Sequence, residues 1–306
     1  MEIVDISIII VNYNVKEFLI PCLRSIYASE IGLIKLEVIV IDNNSTDNSV
    51  EIVVTEFPQV IIIRNNYNAG FPKANNQGFE IAKGRYIFML NPDTELLDNA
   101  LTKLYHFIEN NSDISLIAPQ LLNSNLTFQS SVWRYPSLWY IFCETHYLKW
   151  FLRRKNYLDI DLNNPFLAES FSGAAIMFNR LVFEKIGMLD ETMFWIEDID
   201  FCYRANKEGM RLLYYPYAQI KHHIGQSAKK NYNVSISNQI VNKIKFFKKH
   251  YGNLQLKLVT IISVYEVLIK LLVFGILFPF NKVYNKKAKA YFHTLPLVFN
   301  PHRDIK

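Results

Sequence analysis

The sequence predicts an α/β fold: a doubly wound, mainly parallel sheet with flanking helices, followed by a C-terminal helical extension. Three observations carry that expectation. In the first half, runs of β-branched residues alternate with helical stretches of about 10–15 residues, the spacing of βαβ units. Apolar residues make up 50% of the chain, enough for a substantial core. Residues 254–278 are mostly apolar, with Lys257, Glu266 and Lys270 the only charged residues.

The elements follow in order. Residues 6–11 form a continuous β-branched run, as a strand covered on both faces requires. Residues 16–27 carry Phe18, Leu19, Cys22, Leu23 and Ile26 at helical spacing. Strands are expected at 36–41, 60–64 and 86–90, with helices at 48–57 and 71–83 between them and Gly84 as the stop of the second. A helix at 98–109 and a short strand at 116–119 complete the regular half. Residues 123–165 are aromatic-rich and irregular, with Trp133, Arg134, Tyr135, Trp139, Tyr140, Tyr147 and Trp150. Loops of that length are usually functional or mobile. Pattern returns as a strand at 173–178, short helices at 180–186 and 198–208, and a strand at 218–221.

Composition narrows the function. The three cysteines, Cys22, Cys143 and Cys202, show no metal spacing and read as buried thiols of a reducing compartment. The N-terminus lacks the basic, apolar pattern of a signal peptide, so a cytosolic catalytic portion is expected. The net charge is +5, but from Gly209 to Tyr265 lysines and arginines accumulate without one acidic residue. That stretch lacks the Arg-rich or aromatic-interleaved pattern of a nucleic-acid reader. It is either a solvated face or a surface for something anionic, and the apolar run that follows favours a membrane surface. Residues 254–278 are long enough to cross a bilayer. The central Glu266 and Lys270 and the flanking lysines favour a helix lying in the cytoplasmic interface, with a spanning or soluble packed helix as alternatives.

Carboxylates mark the ends of the strands, where open α/β sheets bind ligands. Asp42 ends the second strand and can accept a hydrogen bond from a base N–H. Asn68-Ala69-Gly70-Phe71 makes a glycine turn into a helix bearing Lys73, Asn75 and Asn76; it is neither GxGxxG nor a P-loop. Asp93, in Asn91-Pro92-Asp93-Thr94, can ligate magnesium or manganese, or merely cap the helix near Asp98. Glu197-Asp198-Ile199-Asp200 opens a helix beside Met193-Phe194-Trp195, and a carboxylate there suits a general base. His222, before a glycine-containing turn at Gly225, can complete a metal site with Asp93, while Lys221, Lys229 and Lys230 can hold diphosphate.

Taken in order, Ile8–Asn14, Val40–Asp47, Asn68–Phe71, Leu90–Thr94, Ser172–Ala175, Glu197–Arg204 and His222–Ser227 resemble family 2 glycosyltransferases, most of all the rhamnosyltransferase-like branch of bacterial surface-polysaccharide assembly. The resemblance implies a GT-A fold. A catalytic domain would cover 1–230, with a nucleotide-binding half at 1–119 and an acceptor-binding half at 120–230, ahead of a membrane-associated extension at 231–306. It implies donor contacts from Asn12, Tyr13, Asn14, Asp42, Asn43, Asn68, Gly70, Phe71, Lys73, Asn76 and Asn91. Asp93 and His222 would hold Mg2+ or Mn2+. Asp198, with Glu197 beside it, would be the catalytic base, and Trp133, Arg134, Gly173 and Trp195 would face the acceptor.

The implied reaction is inverting transfer of a sugar from a nucleotide diphosphate sugar, dTDP-rhamnose first, to a saccharide or lipid-linked saccharide at the inner face of the membrane. Two departures stand out. Asn91 replaces the first acid of the DxD motif, and the QxxRW signature of processive synthases is absent. The rival readings are a non-catalytic nucleotide-sugar-binding protein and a polyprenyl-phosphate glycosyltransferase. A nucleotidyltransferase loses ground because residues 6–16 contain no glycine or arginine.

Overall fold

The computed structural model describes residues 4–146, 161–223, 232–277 and 282–300. The first part of the chain runs β1 (Ile6–Asn12), α1 (Lys16–Tyr27), β2 (Leu36–Asp42), α2 (Ser49–Glu56), β3 (Ile61–Arg64), α3 (Phe71–Ile81) and β4 (Tyr86–Leu90). Next come β5 (Thr94–Leu97), α4 (Ala100–Asn110), β6 (Ile114–Leu122), β7 (Phe128–Gln129), β8 (Val132–Trp133) and α5 (Leu138–Thr145). Then follow β9 (Phe166–Leu167), β10 (Ser170–Phe171), β11 (Ala175–Asn179), α6 (Leu181–Ile186), α7 (Glu197–Lys207) and β12 (Arg211–His222). Three helices close the chain: α8 (Tyr232–His250), α9 (Asn253–Leu277) and α10 (Lys282–Phe299).

The main sheet has the order β3-β2-β1-β4-β11-β6-β12-β5, with β7 on β6 and β9 on β12. The strands β3, β2, β1 and β4 are parallel, and all seven residues of β1 are buried, as the apolar run demands. Beyond β4 the sheet is mixed. β11 runs antiparallel between β4 and β6, and β12 lies parallel to β6 and antiparallel to β5. The core is aliphatic, with Ile8, Ile10, Leu19, Leu23, Phe88, Leu101, Leu104, Ile117 and Ile220 buried together.

Several elements depart from the sequence expectation for physical reasons. Thr94–Leu97 is a strand, because the end of β12, paired with β6 on one side, offers it the other edge. The following helix starts at Ala100, after Asp98 and Asn99 both take positive φ, so Asp93 does not cap it. β6 continues past Pro119, where the chain was expected to break, because Pro119 faces Tyr215 beside a register shift of β12, where a missing N–H is tolerated. The aromatic stretch holds β7, β8 and α5, the last capped by Ser137, whose Oγ accepts the Tyr140 N–H at 3.2 Å. Tyr147 and Trp150 lie outside the described residues, as do Gly225, Ser227, Lys229 and Lys230.

The chain divides into two compact units. The larger comprises 1–134, 160–192 and 197–224, and contains the sheet. The smaller comprises 135–159, 193–196 and 225–306. In it α9 and α10 pack together around Val259, Val267, Ala290 and Tyr291, with α8 contributing Ile240, Val241, Ile244 and Phe247. The buried Ser237 and Thr294 hydroxyls pair at 2.8 Å.

Gly84 is not a left-handed helix stop. The helix ends before Ala82, which is already extended at ψ 136. Gly84 is required because its N–H donates to Ser7 Oγ at 2.7 Å while a Cβ there would meet the Ser7 backbone nitrogen at 2.4 Å. Backbone cannot give way as a side-chain tip can. Gly84→Ala should therefore cost about 1–3 kcal/mol of stability, read as a lowered midpoint in chemical denaturation.

Candidate functional site

The carboxyl edge of the larger unit's sheet collects most of the singled-out residues. Asn12 and Asp42 are register partners at the ends of β1 and β2. Asn12 is fully buried, and its amide nitrogen lies 2.8 Å from Asp42 Oδ1, 3.0 Å from Ser45 Oγ and 2.7 Å from Ser49 Oγ. Its nitrogen braces the loop after β2, while its Oδ1 is buried without a hydrogen-bond partner among the described residues. The Ser45 N–H donates to Asp42 Oδ2 at 2.9 Å. Asn14, at φ 53, accepts the Thr46 N–H, and Tyr13 beside it is exposed. Asp47 accepts the backbone N–H groups of Ser49 and Lys16, fixing the same loop.

The glycine turn adjoins this loop. Asn68 Oδ1 accepts the Gly70 N–H at 3.0 Å, and Gly70 sits at φ +82 with open space where a Cβ would be. Asn43 joins Gly70 O to Asn65, and Asn65 pairs reciprocally with Gln77. Phe71 starts α3, and the Lys73 ammonium lies 5.9 Å from the Tyr67 ring centroid. Asn76 is consumed by scaffolding: it exchanges hydrogen bonds with the Leu189 backbone and reaches Glu191. Of the expected donor set, Tyr13 and Asn68 are exposed and Asn14, Gly70, Phe71, Lys73 and Asn91 half-buried, while Asn12, Asp42, Asn43 and Asn76 are buried.

Asp93 and His222 come together. Their Oδ1 and Nε2 atoms are 3.3 Å apart, and the side chains are only 14% and 12% exposed. The β5–β12 pairing sets Thr94 opposite His222, and the His223 N–H donates to Asp93 O at 2.8 Å. Asn91 Oδ1 is buried and without a hydrogen-bond partner among the described residues. Asp93 and His222 bring a carboxylate and an imidazole into contact, and the orphaned Asn91 oxygen lies two residues before Asp93 in the chain; these donor types fit Mg2+ or Mn2+. Among the described residues no group of three or more His, Cys, Asp or Glu could hold a metal, and Asp93 and His222 are the pair of that kind that meets here.

Asp198 opens α7, and its position depends on Gly173. The Gly173 N–H donates to Asp198 Oδ2 at 2.7 Å, and the Ile199 N–H to Oδ1 at 2.7 Å. A Cβ on Gly173 would stand 3.3 Å from Asp198 Cβ, so this backbone approaches closely. Burial pushes the Asp198 carboxyl up to about 6, against the pull of those N–H donors. It can take a proton near neutrality. Glu197 is buried beside it in sequence. Asp200 serves the scaffold. It pairs with Arg204 at 2.8 Å, and that guanidinium also reaches the carbonyls of Ile186, Gly187 and Met188.

Among the expected acceptor residues, Trp133 on β8 is half-exposed, and Arg134 pairs with Glu169 at 2.8 Å. Trp195 belongs to the smaller unit and is held at φ 80, a strained conformation for a bulky residue. Two features escaped sequence reasoning. Glu95 binds both Lys221 at 2.8 Å and His223 at 2.7 Å, and these contacts outweigh burial to hold its carboxyl below the usual range. Gln129, on the two-residue strand β7, contacts both the ring and the carbonyl of His222. Neither pair is signalled by spacing, since the partners lie far apart in the chain.

The model of the family described as Glycosyl transferase family 2 matches residues 7–187. The low-salt glycan biosynthesis hexosyltransferase Agl10 of Haloferax volcanii is 27% identical over 221 residues, covering 68% of this chain and 64% of that one. The poly(ribitol-phosphate) beta-glucosyltransferase of Bacillus spizizenii is 35% identical over 116 residues, 36% of this chain and 18% of that protein. An Escherichia coli enzyme, the UDP-Glc:alpha-D-GlcNAc-diphosphoundecaprenol beta-1,3-glucosyltransferase WfaP, is 34% identical over 110 residues, 36% of this chain and 42% of its own. The matched region thus spans less than two thirds of each of these relatives. The crystal structure of GalNAc-T7 with UDP, GalNAc and Mn2+ superposes with a TM-score of 0.59 at 15% identity, over 99% of this chain and 59% of that one. That likeness establishes the GT-A fold.

The Asp200–Arg204 pair generates a stability prediction. Asp200 is fully buried, so Arg204→Met leaves its charge without the guanidinium and frees three carbonyls. A loss of about 3–5 kcal/mol is expected, read by thermal denaturation.

Proposed function

The chain belongs to glycosyl transferase family 2, and on that premise we propose that it transfers a sugar from a nucleotide diphosphate sugar to a saccharide in glycan assembly, with inversion of configuration. The observation that carries this reading is the Gly173–Asp198 arrangement: a carboxylate fixed by two backbone N–H groups, with its pKa raised to about 6. A base tuned close to working pH both exists ionised and accepts a proton readily.

In this reading Asp198 takes the proton of an acceptor hydroxyl, whose oxygen attacks the anomeric carbon from the face opposite the diphosphate. The anomeric C–O bond to the diphosphate breaks, and the nucleoside diphosphate leaves. Residues 1–230 do this work, with donor contacts from the 1–119 half and acceptor contacts from the 120–230 half. Asp42, Tyr13, Gly70 and Lys73 bind the donor, and Asp93, His222 and Asn91 line the diphosphate end. Mg2+ or Mn2+, bound by Asp93 and His222, would neutralise charge on the leaving diphosphate. Trp133 supplies an aromatic face for the acceptor, and Arg134 polar contacts. The motif resemblance favours dTDP-rhamnose as donor, while the name of WfaP points to UDP-glucose and a lipid-diphosphate acceptor. Thermal stabilisation by a panel of nucleotide sugars with Mn2+ decides between the donors, and release of nucleoside diphosphate only with acceptor separates transfer from mere binding.

The smaller unit is proposed to hold the chain on the inner face of the membrane. Helix α9 is the one helix among the described residues long and apolar enough to cross a bilayer, with mean hydropathy 2.1 in its most apolar stretch. Its polarity is inverted relative to a helix in water. Glu266 is 4% exposed and pairs with Lys270 at 2.5 Å, and Ser263 is buried, whereas Leu254, Ile261, Leu268, Leu272 and Ile276 point outward. Helices α8 and α10 contain lysines and no acid. An apolar face rimmed by cations suits the interface of an anionic bilayer, with the helix lying in it rather than crossing.

Two outcomes test these readings. Asp198→Asn should keep donor binding and lose turnover by about 10²–10⁴-fold. In the wild type, kcat/KM should fall about tenfold per pH unit below pH 6, since the base is then protonated; a flat acid limb removes Asp198 from the role. Separately, Ile261→Asp and Leu268→Asp should each weaken binding to phosphatidylglycerol vesicles by at least about tenfold, because a buried side chain of this size contributes roughly 1.5–3 kcal/mol. Unchanged flotation would refute the membrane assignment.

A further inference from the structure

Gln129 is almost wholly buried, at 6% exposure, and both ends of its amide are in use. Its nitrogen donates to His222 O at 3.0 Å and to Asn123 Oδ1 at 3.2 Å. Both partners are acceptors, so the amide cannot be turned round without setting oxygen against oxygen. Its Oε1 therefore faces His222 Nδ1, at 2.7 Å. An oxygen there can only accept, and Nδ1 must carry the proton. The remaining nitrogen, Nε2, is the one 3.3 Å from Asp93 Oδ1.

We propose that Gln129 is a positioning residue that locks His222 in the Nδ1–H tautomer and so reserves Nε2, facing Asp93, for the divalent cation. The inference rests on the reading of Asp93 and His222 as the metal pair, but the tautomer is separable from it. The grip is double: one contact sets the ring orientation, the other holds the strand end from which the ring projects. β7 has only two residues and pairs with β6 through Leu121 and Leu122. That short strand delivers Gln129 to its place, and the Asn123 side chain fixes its rotamer from the far side. Outer partners of metal-bound imidazoles act in this way, and their loss typically weakens metal affinity by about 10–100-fold.

The test uses the full chain labelled with 15N-histidine at pH 8, freed of metal with chelator, and His222 assigned by comparison with His222→Ala. Long-range 1H–15N spectra of the wild type should show Nδ1 protonated and Nε2 bare; an Nε2–H tautomer overturns the proposal with no variant needed. Gln129→Leu, nearly equal in size, should shift His222 toward Nε2–H. It should also weaken Mn2+ binding in the presence of UDP, read by electron paramagnetic resonance, by about 10–100-fold, leaving metal-free UDP binding unchanged. A Gln129→Leu protein that keeps both the wild-type tautomer and the wild-type Mn2+ affinity would refute the role. If the wild type binds no Mn2+ while the tautomer still depends on position 129, the metal assignment fails and the positioning stands.

Discussion

The site depends on one strand pairing. β11 returns antiparallel beside β4, and the pairing continues past the strand ends, where the Asn91 N–H donates to Ala174 O at 2.9 Å. That bond fixes two turns at once. One leads within two residues to Asp93; the other presents the Gly173 N–H that seats Asp198. A shift of β11 by one residue would turn its side chains to the opposite face and separate these groups. The parallel strands upstream build the Asn12–Asp42 side of the site, but this antiparallel contact ties the Asp93 turn to the seat of Asp198.

Much of the fold was legible because its first half is governed by local rules. The apolar runs at β1, β2 and β4 are covered on both faces, so they stand out in sequence, and the helices between them show their buried faces at regular spacing. The second half is governed by pairing between distant segments. Thr94–Leu97 has no strand signal of its own and becomes one only because β12 is long enough to receive it. Pro119 reads as a break, yet the β12 irregularity beside it makes the proline harmless. The aromatic stretch hides Leu138–Thr145 because its apolar content is high on every side of the helix.

The candidate site was legible as residue types and less so as roles. Asp93, His222 and Asp198 are marked by their places at strand and helix ends, and the fold brings Asp93 and His222 into contact. Gly173 was expected at the acceptor, and the structure adds that its backbone seats Asp198. Asn12 and Asn76 have the chemistry of ligand contacts and are both buried, Asn76 bonded at both ends of its amide to protein and Asn12 at its nitrogen alone, a distinction that only the structure reveals. Gln129 was invisible for the opposite reason: a lone glutamine at the end of a loop carries no pattern, and its meaning lies wholly in what it touches.

The inverted polarity of α9 has a practical consequence. A helix that keeps its ion pair inward and its leucines outward has no good state in plain buffer, where such faces seek one another. Handled without lipid or detergent, the protein would be driven toward self-association through that face. Its apparent size on a column, and any melting temperature, would then vary with concentration.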